Sequence, residues 1–163
     1  MKKNTQNKLK MRTAVFAGSF DPITKGHVNI VKRAIPMFDK IIVAMGINSS
    51  KKYFFDTEQR IAFLKAAFED EPTVEVDTYE QLTAFYCKEK GANFLLRGLR
   101  NSTDFNYENT IANLNSTIGE NLETVFLIAA AEYTCYSSTV VREIIKGGGD
   151  ASIFLPPQVI ALM

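Results

Sequence analysis

Short apolar bursts recur along the chain, and between them lie segments whose apolar residues return every three or four positions. Five bursts predict strands: Thr13 to Ala17, Lys40 to Met45, Val74 to Asp77, Asn93 to Arg97 and Thr124 to Ala129. Most are near-continuous rather than alternating, the pattern of strands covered on both faces. The intervening segments predict amphipathic helices. His27, Ile30, Val31, Ala34, Ile35 and Phe38 share one face, and Pro36 ends that helix near its last turn. A second helix starts near Thr57 and presents Ile61, Leu64, Lys65 and Phe68, while Leu82, Phe85 and Tyr86 mark a third. Phe105, Ile111, Leu114 and Ile118 mark a fourth, opened by Ser102, Thr103 and Asp104. Val140, Val141, Ile144 and Ile145 mark a fifth, stopped by Gly147-Gly148-Gly149, and a short helix follows Pro156-Pro157.

This strand–helix alternation predicts an α/β fold, an open five-stranded parallel sheet with helices on both faces. The chain has 163 residues, the size of one domain. No internal repeat or linker divides residues 12–163, which are read as that domain. Residues 1–11 are polar and basic without an apolar core, and are read as a disordered extension or a cloning remnant.

Composition narrows the function. Hydrophobic residues are 46% and charged residues 23%, ordinary for a soluble globular chain. Lys+Arg number 19 against 18 Asp+Glu, a net charge of +1, so no bulk field attracts nucleic acid or a membrane. A partner must be recognised at a local site. No apolar run nears the roughly 20 residues that span a bilayer, and a cytoplasmic location is expected. Cys87 and Cys135 lie far apart in no metal-ligand spacing, and the chain holds 1 His; the cysteines are read as reduced thiols.

In parallel sheets ligands bind beyond the carboxyl ends of the strands. Four polar segments fall there. In Gly18 to His27 a strand turns through small residues into a helix that Thr24 caps, with His27 in its first turn. Backbone N–H groups, the helix dipole and the imidazole would favour the same anion. Ser49-Ser50-Lys51-Lys52 follows the second strand; taken alone it reads as a solvated loop, and its place beside the first segment makes it a phosphate site. Arg97-Gly98-Leu99-Arg100 follows the fourth strand and suits bidentate phosphate or carboxylate binding, or ion pairs with Asp104 or Glu108. Tyr133 to Thr139 leads into a second helix start, where Ser137, Ser138 and Thr139 serve as cap, phosphate ligands, or both. GxxxxGK[ST] and GxGxxG are both absent, which argues against a P-loop and a dinucleotide oxidoreductase.

Gly18-Ser19-Phe20-Asp21-Pro22 with Gly26-His27 resembles the GxFDPxxxGH signature of the nucleotidyltransferase superfamily, and Ser137-Ser138-Thr139 with Arg142 resembles its SSTxxR signature. Ser50-Lys51-Lys52, Leu95 to Arg100 and Asp104 to Glu108 are most similar to the phosphopantetheine adenylyltransferases. The resemblance implies a Rossmann-like nucleotidyltransferase fold and adenylyl transfer from ATP to 4′-phosphopantetheine, giving dephospho-coenzyme A and pyrophosphate. It implies His27, Ser19, Lys51 and Arg100 at the reacting centre. It places Ser19, Phe20, His27, Gly98, Leu99, Arg100, Glu108 and the run Tyr133, Thr134, Cys135, Tyr136, Ser137, Ser138 and Thr139 on ATP. Ser19, Lys51, Leu82, Thr83 and Arg97 fall to the acceptor. It further implies Mg²⁺ carried on the ATP phosphates rather than on a protein metal site, coenzyme A as a feedback ligand, and a homohexamer. Ser19 stands where many members carry threonine, Thr83 where methionine is common, and Tyr133 to Tyr136 replaces a tryptophan-led run. Rival readings are a sister enzyme acting on nicotinamide mononucleotide or glycerol 3-phosphate, a non-catalytic nucleotide-binding regulator, and an RNA-binding relative.

Overall fold

Five parallel strands make one sheet: β1 (Thr13–Gly18), β2 (Lys40–Gly46), β3 (Val74–Tyr79), β4 (Phe94–Leu99) and β5 (Glu123–Ile128), in the spatial order β3-β2-β1-β4-β5. The structure is a computed structural model and describes residues 11–163. The extension expected at residues 1–11 therefore lies outside the described residues, apart from the exposed Met11. Among the described residues the helices are α1 (Lys25–Ala34), α2 (Thr57–Ala67), α3 (Thr83–Glu89), α4 (Ser102–Ile118), α5 (Ser138–Lys146) and α6 (Pro157–Ile160).

Alternation along each strand sends side chains to two cores. Phe16, Val43, Met45 and Leu96 pack with Ile30 and Val31 of α1, Phe63 and Leu64 of α2 and Val159 of α6. Val15, Ala17, Ile42, Ala44 and Leu95 pack on the other face with Ala84, Tyr86 and Cys87 of α3. Burial on both faces is why the strands read as continuous apolar runs.

The strand order creates the site. The chain winds outward through β1, β2 and β3, then returns to the far side of β1. Ligands bind where such a winding reverses, here at the carboxyl ends of β1 and β4. The β1–β4 pairing runs Ala14–Phe94, Val15–Leu95 and Phe16–Leu96 and stops, although both strands continue. Beyond Phe16 and Leu96 the two strands part.

Some elements differ from expectation. β4 continues to Leu99 because Arg97, Gly98 and Leu99 pair with Phe126, Leu127 and Ile128 of β5. Arg97 to Leu99 are thus strand residues, and Arg100 alone of that segment follows the strand. The inward face of α2 is turned from the expected stripe. Leu64 is buried with Arg60, Phe63 and Ala67, while Lys65 is exposed. A charged residue on the inner face hides the true stripe. The helix starts at Thr57 as expected, and Asp56 caps it, its carboxylate accepting the Gln59 N–H at 2.8 Å. Helix α4 has no buried residue, and Phe105, Leu114 and Ile118 of its expected apolar face are exposed. Both cysteines are free, Cys87 buried and Cys135 exposed. No helix among the described residues is long and apolar enough to cross a membrane.

Phe63 is 1% exposed between α2 and the sheet. Phe63→Ala is expected to cost about 3–5 kcal/mol, read as a lowered denaturant midpoint. A loss under about 1 kcal/mol would contradict this packing.

Candidate active site

The turn after β1 is made tight by its sequence. Phe20 adopts φ 45°, a left-handed turn conformation, and folds its ring beneath Gly18. A Cβ on Gly18 would meet that ring at 2.9 Å, so this position takes glycine. Thr24 then caps α1. Its backbone N–H donates to Nδ1 of His27 at 3.0 Å, and its hydroxyl lies 3.0 Å from the same nitrogen. An atom that accepts a backbone N–H carries no proton, so in the neutral ring the proton sits on Nε2. The ring stands edge-on to Phe20, with centroids 5.4 Å apart. Burial, and then the positive charges of Arg100 and Arg97, push the His27 pKa down to about 4. At neutral pH the ring is an uncharged donor through Nε2–H.

Asp21 fastens this turn to its surroundings. Its carboxylate accepts the N–H groups of Phe54 at 2.8 Å and Phe55 at 2.9 Å, which fixes the loop carrying Lys51 and Lys52. Its carbonyl accepts from Arg142 at 2.6 Å. The next carbonyl, of Pro22, accepts the Ser138 hydroxyl at 2.7 Å. Ser137 caps α5 by accepting the Val140 N–H at 3.2 Å. Thr139 accepts from Arg142 at 3.2 Å. Ser138 thus spends its proton on a backbone carbonyl, whereas the Ser137 and Thr139 hydroxyls act as acceptors and keep an O–H to donate to an anion beside the helix-start N–H groups. The starts of α1 and α5 pack closely at Gly26, where a Cβ would lie 3.2 Å from the Tyr136 carbonyl oxygen, tighter than an ordinary contact. Two helix dipoles then favour negative charge at the same place.

The remaining wall comes from β4 and α4. Arg97 reaches into the gap left by the parted strands, where it donates to the Ala17 carbonyl and grips Glu108 through two bonds, one of them at 2.8 Å. Arg100 holds Asp104 one turn into α4, at 2.9 and 3.2 Å. Burial pushes the Asp104 carboxyl up, but bonds from the Arg100 side chain and backbone outweigh it and hold the pKa below the usual range.

Three cavities open on this rim. The first, about 350 Å³, is lined by Gly18, Phe20, His27, Arg97 and Arg100 and by the Ser137 to Thr139 turn. The second, about 750 Å³, lies between Lys51, Leu82, Thr83 and the Tyr107, Ile111 and Asn115 face of α4. The third, about 410 Å³, is cationic, with Lys51, Lys52, Arg142 and Lys146 around Asp21. Ser19 lines all three, and Gly18, Arg97 and Glu108 form the wall common to the first two.

Residues 15–144 match the Cytidylyltransferase-like family. The chain is 51% identical to a phosphopantetheine adenylyltransferase of Flavobacterium psychrophilum, an alignment covering 91% of this chain and 98% of that one. It is 47% identical to the phosphopantetheine adenylyltransferase of Cytophaga hutchinsonii, covering 91% of this chain and 99% of that one. The chain belongs to the phosphopantetheine adenylyltransferase family. Among solved structures it resembles a bifunctional NMN adenylyltransferase/ADP ribose pyrophosphatase from Francisella tularensis at TM-score 0.64 and 15% identity, covering 89% of this chain and 45% of that one. A lipopolysaccharide core biosynthesis protein from Thermoplasma volcanium aligns at TM-score 0.56 and 18% identity, covering 74% of this chain and 98% of that one. These two likenesses concern the fold alone.

The residues that the family resemblance singles out divide between the cavities. Ser19, Phe20, His27, Gly98, Arg100, Glu108, Tyr133, Tyr136, Ser137, Ser138 and Thr139 line the first. Leu99, Thr134 and Cys135 do not: Leu99 is buried, its carbonyl taken by the Ala129 N–H at 2.7 Å, and the Thr134 hydroxyl donates to the Ala131 carbonyl at 3.0 Å. Ser19, Lys51, Leu82, Thr83 and Arg97 line the second. Asn115, and Ile111 that the sequence marks only as part of an apolar face, also line the second cavity; with Tyr107 they recur every fourth residue on one face of α4. The tether formed by Asp21 escaped the sequence reading, because its partners lie 33 and 34 residues away.

Since the chain holds 1 His, its ring can be followed by ¹⁵N NMR without assignment. The expected result is the Nε2–H tautomer above pH 6 and a midpoint near 4. The unfolded ring titrates near 6.5, so the unfolded state takes up its proton first. The contribution to stability is complete above that value and is lost as pH falls towards 4. A midpoint near 6.5 would contradict the placement of the ring.

Proposed function

We propose that the chain transfers the adenylyl group of ATP to 4′-phosphopantetheine, giving dephospho-coenzyme A and pyrophosphate in coenzyme A biosynthesis. Membership of the family supports the reaction. The observation that carries its location is the wall of Gly18, Ser19, Arg97 and Glu108 common to two cavities, with His27 on one side and Lys51 on the other. ATP takes the cavity between the two helix starts, and the acceptor takes the longer one beside α4.

An acceptor phosphate oxygen bonds to the α-phosphorus while the bond from that phosphorus to the bridging oxygen breaks. The bridging oxygen leaves with pyrophosphate. The attacking oxygen is already ionised, so no general base is required. His27 suits this role, since its Nε2 bears the proton and donates it as a hydrogen bond to oxygens where charge grows. Lys51 and Arg100 offset the repulsion between the two anions, and the Ser19 hydroxyl donates beside them. The cationic cavity beyond Ser19 receives the leaving pyrophosphate.

Mg²⁺ belongs to this proposal as a passenger on the triphosphate, where it would neutralise phosphate charge. Among the described residues no cluster of acidic, histidine or cysteine side chains suits a metal ion, and Asp21, Asp104 and Glu108 at the first cavity already have partners. Coenzyme A carries both a pantetheine arm and an adenylate, so it would compete for both cavities as a feedback ligand. A homohexamer in the cytoplasm completes the reading. The exposed Phe105, Leu114 and Ile118 of α4 and Ile128 on the edge strand supply apolar surface for association of copies.

His27→Ala is expected to lower turnover by about 10²–10³, the loss of one preorganised donor, with ATP binding by calorimetry nearly unchanged. Pyrophosphate release should require phosphopantetheine and fail with nicotinamide mononucleotide or glycerol 3-phosphate. Equal turnover in the variant would remove His27 from the reaction. Release with another acceptor instead would replace the substrate.

A further inference from the structure

Arg60, on the inner face of α2, is 1% exposed and one of the largest fully buried side chains. None of the ion pairs among the described residues involves it. Its Nη1 donates to the Ser19 carbonyl at 2.8 Å, and its guanidinium carbon lies 3.8 Å from the centre of the Tyr53 ring. Nη2 reaches the Thr57 hydroxyl only at 3.5 Å, and Nε is buried with no partner. A buried cation without a carboxylate is costly, and hydrophobic residues of similar volume commonly replace buried charges without loss of stability. Folding alone therefore gives little reason for this residue.

Its two contacts are both at the site. Ser19 lines all three cavities, and Tyr53 lines the second and third. The Ser19–Phe20 peptide is trans, so holding its carbonyl against α2 turns its N–H to the opposite side. That N–H has no protein partner among the described residues, and Phe20 lines the first cavity. A cation on the carbonyl also polarises the peptide and strengthens its N–H as a donor.

We propose that Arg60 is a positioning residue: its buried guanidinium orients the Ser19–Phe20 peptide as a phosphate donor and supplies positive charge that a bound phosphate balances. Arg60 itself touches no reacting atom. The proposal rests on the adenylyl-transfer reading above.

The test uses Arg60→Met, which keeps the volume and removes the charge, and Arg60→Lys, which keeps the charge and loses the planar fork. Both are compared with the parent chain by calorimetry with inorganic pyrophosphate and by steady-state pyrophosphate release. Arg60→Met is expected to bind pyrophosphate at least tenfold more weakly and to lose at least a hundredfold in kcat/KM, while keeping its circular dichroism. Arg60→Lys is expected to recover pyrophosphate binding to within threefold yet stay at least tenfold low in kcat. This split separates charge from orientation, and a purely structural role would not produce it. A folded Arg60→Met with parental binding overturns the proposal. Should Arg60→Met fail to fold, Arg60→Lys decides: parental kcat overturns the proposal, and the tenfold deficit with retained binding supports it. A parent chain inactive with ATP and phosphopantetheine would instead count against the adenylyl-transfer reading.

Discussion

The rest of the structure depends on two neighbouring strands ceasing to pair. β1 and β4 are joined up to Phe16 and Leu96, and then each continues alone. Carbonyls that a ladder would have consumed become available, and the Ala17 carbonyl is taken by Arg97. Strand order fixes where this happens, since the chain reverses its winding between these strands. The cradle is therefore a property of topology first and of side chains second. The same signature residues on a sheet paired to its end would face a closed edge.

Around that opening the charges are assigned in advance. Glu108 grips Arg97, Asp104 holds Arg100, and backbone carbonyls anchor Arg142 and Arg60. A guanidinium fork with one side engaged presents the other in a set direction, so less rotamer freedom is lost when phosphate arrives. Among the described residues Lys51 and Lys52 form no ion pair, and they differ in character: their loop is held by its backbone, and their ammonium groups stay long-reaching point charges. Arginines thus define geometry at this rim, while lysines contribute field.

Much of this was legible in the sequence because its determinants are local. Continuous apolar runs announced strands buried on both faces, and Thr24 and Ser137 announced helix starts. The glycines at 18 and 26 sit in a dense motif whose spacing alone points to a family. What stayed hidden was set by distant partners. Arg60 broke the apolar stripe of α2, so periodicity misread that face, and no local signal ties residue 60 to the carbonyl of residue 19. The apolar run ends β4 at Arg97 because Gly98 resembles the start of a loop, whereas pairing with β5 keeps Gly98 and Leu99 extended. The apolar residues of α4 promised a core contact and instead remain on the surface, since helical spacing does not say what lies opposite.

The carboxylate of Asp21 has one further consequence. By clasping two consecutive amides of a segment 33 and 34 residues away, it makes the lysine-bearing loop travel with the glycine turn. Breathing of one side is inherited by the other. In the proposed reaction nucleotide and acceptor would thereby share a common frame of reference, one that two independently tethered loops would not give them.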